Sequence, residues 1–243
     1  MRKIISKLQF FLDLYQGIGY GTSSIKKEMN SFLKFIPDGK IFVDVGGNKG
    51  FYTQGILEIY KPNQIHIFEP SKTNIEILNE KYKENKLIFI NDCGLSNVNS
   101  NSILYSNKSG SALGSLTKRK LDHFGIDFSV EENIRLIRFD EYWEKNINEN
   151  EIDLLKIDVE GHELEVLEGV GEKIKNVKLI QFEFGGCNID TRTYFQDYWY
   201  FFKKINFQIY RITPFGNYEI KNYKEEYERF RTTNYFCVNR NLL

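Results

Sequence analysis

The 243-residue sequence has only four prolines, three cysteines and three histidines, and its 33 basic and 33 acidic side chains cancel. With no net charge and 15% aromatic residues, it is excluded from the intrinsically disordered class, whose members cannot bury enough apolar surface to fold. Composition and the lack of a recurring period exclude collagen-like, coiled-coil and repeat architectures. The balanced charge argues against a dedicated nucleic-acid binder, whose affinity comes largely from neutralising phosphates. The one dense basic run, Lys118-Arg119-Lys120, reads as a solvated face. Cys93, Cys187 and Cys237 form no CxxC pair, so neither a disulfide framework nor a zinc knuckle is expected, and a reducing cytoplasm suits them. No apolar run is long enough to span a bilayer. What is present is a chain long enough to hide roughly 70–75% of its unfolded surface in one domain.

The first residues, MRKIISKLQFFLDLYQG, start basic and apolar but are broken by Ser6-Lys7, Gln9 and Asp13, with no small-residue cleavage site after them. Ile4, Ile5, Leu8, Phe11, Leu12 and Tyr15 fall at helical spacing, which predicts an amphipathic helix packed on its own domain. A peripheral membrane anchor is the second reading, though a strong basic face is lacking. Gly17, Gly19 and Gly21 follow, then a second helical stretch from about Ser24 to Phe35; residues 1–36 read as a helical extension and 37–243 as the main domain. From Ile41 the chain alternates. Strands are expected at Ile41–Val45, Ile65–Phe68, Leu87–Ile90, Asp153–Ile157 and Lys178–Phe184, with helices at Phe51–Tyr60, Thr73–Tyr82 and Glu163–Val170. Continuously apolar strands are buried on both faces, which implies a parallel, doubly wound α/β sheet. A helix at Tyr194–Ile205 and strands at Phe207–Ile212 and Asn234–Asn239 imply an antiparallel hairpin at one edge. The Ser-, Asn- and Gly-rich stretch 97–133 reads as a long irregular loop, facing substrate or acting as a lid.

Three segments carry the chemistry. In Val43-Asp44-Val45-Gly46-Gly47-Asn48-Lys49-Gly50-Phe51 a strand runs into an acid, a glycine turn and a helix, at the carboxyl end of a strand where open α/β sheets bind ligands. It is neither a dinucleotide G-x-G-x-x-G nor a P-loop, and an acid there attracts an amino group rather than a pyrophosphate. Glu69 ends the next strand, near the spacing at which an acid grips ribose hydroxyls. Finally, Lys156, Asp158, Glu160, His162 and Glu163 crowd ionisable groups onto one strand end, where Lys156 and Asp158 share a face.

VDVGGNKGFYT, IFEP and IDLLKIDVEGHELEVLEG, in this order and spacing, resemble the FkbM-type S-adenosylmethionine-dependent methyltransferases. The resemblance runs from about Tyr20-Gly21 to Cys237-Val238 and includes Arg138-Phe139-Asp140-Glu141-Tyr142. It implies a class I, Rossmann-like methyltransferase fold with a mostly parallel seven-stranded sheet, S-adenosylmethionine as cofactor, and O-methyl transfer to a hydroxyl of a sugar, glycolipid or natural product, as in polysaccharide biosynthesis. On this reading Asp44, Gly46, Gly47, Asn48 and Gly50 hold the methionine part and Glu69 the ribose; Asp92, Cys93, Gly94 and Leu95 border the adenine, and Asp158 sits near the sulfonium. His162 is the expected base, with Glu160, Glu163 and Glu183 as alternatives. Asp158, Glu183 and Asn188 could hold a hard cation, but no spacing singles out such a site and no metal is expected. The alternative to an enzyme is a non-catalytic, cofactor-binding scaffold with this fold.

Overall fold

A computed structural model describes residues 2–20 and 24–243; Gly21 lies outside the described residues. In chain order the elements are α1 (Arg2–Tyr15), α2 (Ile25–Phe32), β1 (Ile41–Val45), α3 (Phe51–Ile59), β2 (Gln64–Glu69), α4 (Lys72–Tyr82), β3 (Ile88–Asp92), β4 (Gly94–Leu95), β5 (Ser100–Ser106) and β6 (Val130–Ile137). There follow α5 (Phe139–Asn146), β7 (Ile152–Ile157), α6 (Glu163–Gly169), β8 (Val177–Phe184), α7 (Cys187–Thr191), α8 (Phe195–Lys204), β9 (Phe207–Thr213), β10 (Gly216–Glu219) and β11 (Thr233–Asn239).

The main sheet has the strand order β10-β9-β11-β8-β7-β1-β2-β3. Strands β8, β7, β1, β2 and β3 run parallel, and β11 enters antiparallel between β8 and β9. The expected α/β fold with an antiparallel C-terminal hairpin is therefore observed. The sheet has eight strands rather than seven, because Gly216 turns the chain back and β10 pairs outside β9. β1 and β7 are buried along their whole length, as strands covered on both faces must be. One core lies between the sheet and α5, α6 and α8, centred on Phe139, Trp143, Val166, Phe182 and Tyr198. The other lies against α2, α3 and α4, around Met29, Phe32, Ile56, Ile65 and Leu78.

Two expectations need correction. The stretch 97–133 is irregular chiefly between 107 and 129: at its ends β5 and the start of β6 pair antiparallel and, with β4, build a second, three-stranded sheet. Ser100 and Ser102 occupy the inward face of β5 beside Leu104, and Ile103 and Tyr105 its outward face, which hid the alternation there, while Leu104, Ile134 and Leu136 form the small core of that sheet. The second failure is α1. It forms, but its apolar arc points away from the domain: Ile4, Ile5, Leu8, Phe11, Leu12 and Tyr15 are 52–73% exposed. The helix touches the domain instead through its polar edge, where Asp13 meets Arg229 and Arg231 and the Arg231 guanidinium lies over the Phe10 ring. Charge pairing, not apolar burial, sets its orientation. No helix among the described residues is long and apolar enough to cross a membrane.

Candidate active site

A cavity of about 420 Å³ opens at the carboxyl ends of β1, β2, β7 and β8, roofed by residues of the small sheet and its loop, Leu104, Ser111, Leu116, Ile134 and Leu136. Its floor is the glycine turn. Gly46 has φ +75°, and a Cβ there would lie 1.9 Å from the Asp158 carbonyl oxygen, so only glycine lets β1 and β7 run out side by side. The N–H groups of Gly46 and Gly47 donate to the Phe68 carbonyl, and that of Asp158 to Val45, which staples the turn between β2 and β7.

Glu69 ends β2 facing this turn. Its Oε2 accepts from the Asn48 N–H at 2.8 Å, and its Oε1 from the Ser71 N–H at 2.9 Å and the Asn74 amide at 3.3 Å. Burial pushes its pKa up, and the three donors work against that rise. The result is a fixed carboxylate on the cavity wall whose three donors leave about one acceptor site, on Oε2, open to a ligand. Replacing Glu69 with alanine is expected to weaken S-adenosylhomocysteine binding by roughly 10–100-fold, the value of a charge-assisted hydrogen bond, with the fold retained. Titration calorimetry checks this; unchanged affinity would remove Glu69 from the ligand's surroundings.

Asp44 does not line the cavity. It is fully buried beneath it, 3.1 Å from the Lys156 ammonium and bonded by the Thr53 hydroxyl at 2.8 Å. Lys156 also donates to the Val45 and Gly46 carbonyls and lies 3.6 Å from Asp158. The expected direct contact of Asp44 with an amino group is thus replaced by an internal ion pair that anchors the turn. Asp92 and Cys93 fail as wall residues as well: the one is exposed, the other buried in the core, and only Gly94 and Leu95 reach the cavity. Gly50 lies away from the cavity, capping α3 against Tyr82 with φ +72°.

The segment after β7 folds back sharply. Glu160 takes a left-handed φ of 56°, a strained conformation for a residue with a side chain, and Gly161 follows at +105°. Glu163, fully buried, holds this turn from within by accepting from the N–H groups of Val159 and Gly161, while burial pushes its pKa up to about 7. It positions the turn and does not line the cavity, which removes it from the alternative bases. Asp158, Glu160, His162 and Glu183 all reach the cavity wall. Burial, then the charges of Asp158 and Arg119, set the Glu160 pKa at about 8; Glu183 is raised well above its ordinary value by burial and by Asp158, Glu160 and Glu163. One ligand atom each of Glu160, Glu183 and Cys187 lie within 4.8 Å of one another, but the Arg119 guanidinium already fills the second side of Glu160 at 2.6 Å. The trio considered from the sequence as a cation site, Asp158, Glu183 and Asn188, is not assembled: Asn188 is buried and caps the Gly185 N–H.

His162 is bonded through Nε2 to the Thr117 hydroxyl at 2.9 Å, and its Nδ1 is 3.8 Å from Glu165. Burial lowers its pKa below 6.5, against the pull of Glu165, so the ring is neutral at pH 7. Thr117 belongs to the roof segment, as do Ser111, whose carbonyl accepts from the Asn48 amide, and Ser115, whose hydroxyl donates to the Glu160 carbonyl. Arg119 is only 10% exposed, bonded to Glu160 and Asp190, so the basic run is no solvated face at its centre. Sequence reasoning missed the wall opposite the glycine turn. There the Tyr52 hydroxyl donates to Gln181, and Gln181 donates to Glu28 of α2, with Asn234 of β11 alongside. A glutamine in the apolar strand Leu179–Phe184, and a glutamate aligned with Met29 and Phe32 on α2, were the available signals.

Residues 44–233, most of the chain, match the family model described as the methyltransferase FkbM domain. Among curated proteins, none matches the sequence significantly. Solved structures similar to it include the FkbM methyltransferase of Methylobacillus flagellatus KT, at 17% identity and a TM-score of 0.48 over 82% of this chain. The chain spans 43% of that protein's length. An O-methyltransferase from Bacillus cereus in complex with SAH aligns at 12% identity and a TM-score of 0.46, covering 97% of this chain and 89% of that one. A putative rRNA-methylase from Clostridium thermocellum aligns at 10% identity and a TM-score of 0.48, covering 88% and 94%. The chain belongs to the FkbM methyltransferase domain family.

Proposed function

We propose that the protein transfers a methyl group from S-adenosylmethionine to a hydroxyl of an uncharged, polyhydroxylated acceptor such as a sugar. When bound, the cofactor supplies an electrophilic methyl carbon on a sulfonium. The residues present fit it: Gly46, Gly47 and Asn48 leave room above the turn, Glu69 offers its carboxylate to ribose hydroxyls, Gly94 and Leu95 give an apolar edge, and the Asp158 carboxylate favours a cation. The acceptor belongs beyond Asp158, toward β8, β11 and α2. The observation that carries its class is the charge of that wall. It presents Glu28, Glu160, Glu183, Gln181 and Asn234, while the cation on it, Lys156, is held by Asp44, and Arg119, which bonds Glu160 from outside the cavity lining, is held by Glu160 and Asp190. A phosphate or carboxylate on the acceptor would find no free cation there, only carboxyl groups that burial already disfavours as anions, whereas hydroxyls find donors and acceptors. His162, neutral at pH 7, is the group to take the hydroxyl proton, and the roof excludes water around the displacement.

Methyl transfer from radiolabelled S-adenosylmethionine tests this, with neutral oligosaccharides, phosphorylated sugars and RNA as acceptors. Label in the neutral sugars that survives alkali, as an ether does and an ester does not, is the expected result. Labelling of RNA or of phosphorylated sugars in preference to neutral ones would overturn the acceptor class.

A further inference from the structure

The outward face of α1 has no counterpart in the domain. Seven large apolar side chains form it: Ile4, Ile5, Leu8, Phe11, Leu12 and Tyr15, with Phe215 of the β9–β10 turn, 76% exposed, against the Tyr15 ring at 5.3 Å. The patch therefore continues from the helix onto the domain and is held at a fixed angle by the Asp13 pairs with Arg229 and Arg231. Single exposed hydrophobes need no explanation, but a contiguous set of this size marks a contact surface.

Charge decides what the contact is. Lys3 and Lys7 lie one turn apart beside the apolar arc, both exposed, and among the described residues neither has a carboxylate in ion-pair range. The helix's single acid, Asp13, is already engaged on the domain side. Two copies stacked face to face would bring lysines together with no acid to meet them. A surface with anionic headgroups satisfies both parts: the apolar arc sinks to the acyl boundary while the lysine stems reach back to the phosphates. We infer that α1 docks the protein on an anionic lipid bilayer. Arg231, which meets the helix, is three residues before Asn234 on the cavity wall, so the helix anchor and that side of the cavity are joined by at most about 10 Å of chain.

The test is co-sedimentation of the full chain with vesicles of phosphatidylcholine alone or mixed with phosphatidylglycerol. The parent is expected to bind the mixed vesicles, to be released by salt, and to bind the neutral vesicles weakly. Leu8→Glu with Phe11→Glu should abolish binding, and Lys3→Gln and Lys7→Gln should each weaken it roughly fivefold, with S-adenosylhomocysteine affinity unchanged in all of them. Should the double glutamate variant fail to fold, the lysine variants, which alter only exposed side chains, still decide. Equal capture by neutral and anionic vesicles, or parental binding by the lysine variants, would overturn the inference. So would a parent that ignores vesicles and sediments as a dimer.

Discussion

Replacing His162 with alanine is expected to lower kcat by about 10²–10⁴-fold while S-adenosylhomocysteine affinity stays parental, because the change removes a proton acceptor and no part of the cofactor's surroundings. Glu160 and Gly161, both at positive φ, end the β7 extension and aim residue 162 back over the cavity, and Glu163 locks that turn through two backbone N–H groups. Glu165, one turn along α6, lies beside Nδ1 and favours a proton there, which leaves Nε2 as the basic nitrogen. The Thr117 hydroxyl at 2.9 Å from Nε2 marks the distance at which an acceptor hydroxyl would be held. Burial has lowered the imidazole pKa, so the acid limb of the kcat profile should fall below pH 6.5: activity is lost as pH drops through that pKa and the ring becomes cationic. Thr117→Val should leave kcat within a few fold, since the threonine only occupies the bond. A His162→Ala enzyme that retains turnover would shift the proton acceptor to Glu183, which also lines the cavity.

Much of this site was readable before the fold. The glycine turn, Glu69 and the charged run after β7 are local patterns, set by a strand end, a tight turn and a helix start, and short-range chemistry determines where they go. Lys156 and Asp158 were expected on one face, and their charged groups are 3.6 Å apart. Asp44 shows the limit of such reading. Its position at the end of β1 is legible, but the partner that buries it is on β7, 112 residues away, and only the parallel register Asp44–Lys156 brings them together. The roof was illegible for a related reason. β5 carries serines on the same inward face as Leu104 and finds its register only against β6, so its pattern has meaning only as a pair. The direction of α1 could not be read at all from its periodicity. An amphipathic repeat says that a face must be covered, and the arginines that turn that face outward are more than 200 residues away.

Lys156→Met is expected to destabilise the protein by about 3–5 kcal/mol, because it leaves the Asp44 carboxylate buried without a cation. Asp44 has no exposed surface and Lys156 has 5%, so water cannot substitute for either partner. Burial alone would lower the lysine's pKa, but Asp44 and Asp158 outweigh that and raise it above 10.5. A raised lysine pKa stabilises at every pH below the unfolded value and is lost only as pH climbs through the folded one. The lysine's own contribution should therefore be the same at pH 6 and pH 8. Lys156 also ties the Val45 and Gly46 carbonyls, so its loss should loosen the glycine turn and, with the cofactor above that turn as proposed, weaken S-adenosylhomocysteine binding as well. Urea unfolding of the parent, Lys156→Met, Asp44→Asn and the double variant closes the cycle. The Asp44→Asn change retains a carbonyl for the Thr53 hydroxyl and removes the charge, so the double variant is expected to be more stable than Lys156→Met alone. If Lys156→Met costs less than about 1 kcal/mol, the value of an exposed pair, or if the two changes simply add, the pair is not what holds β1 to β7.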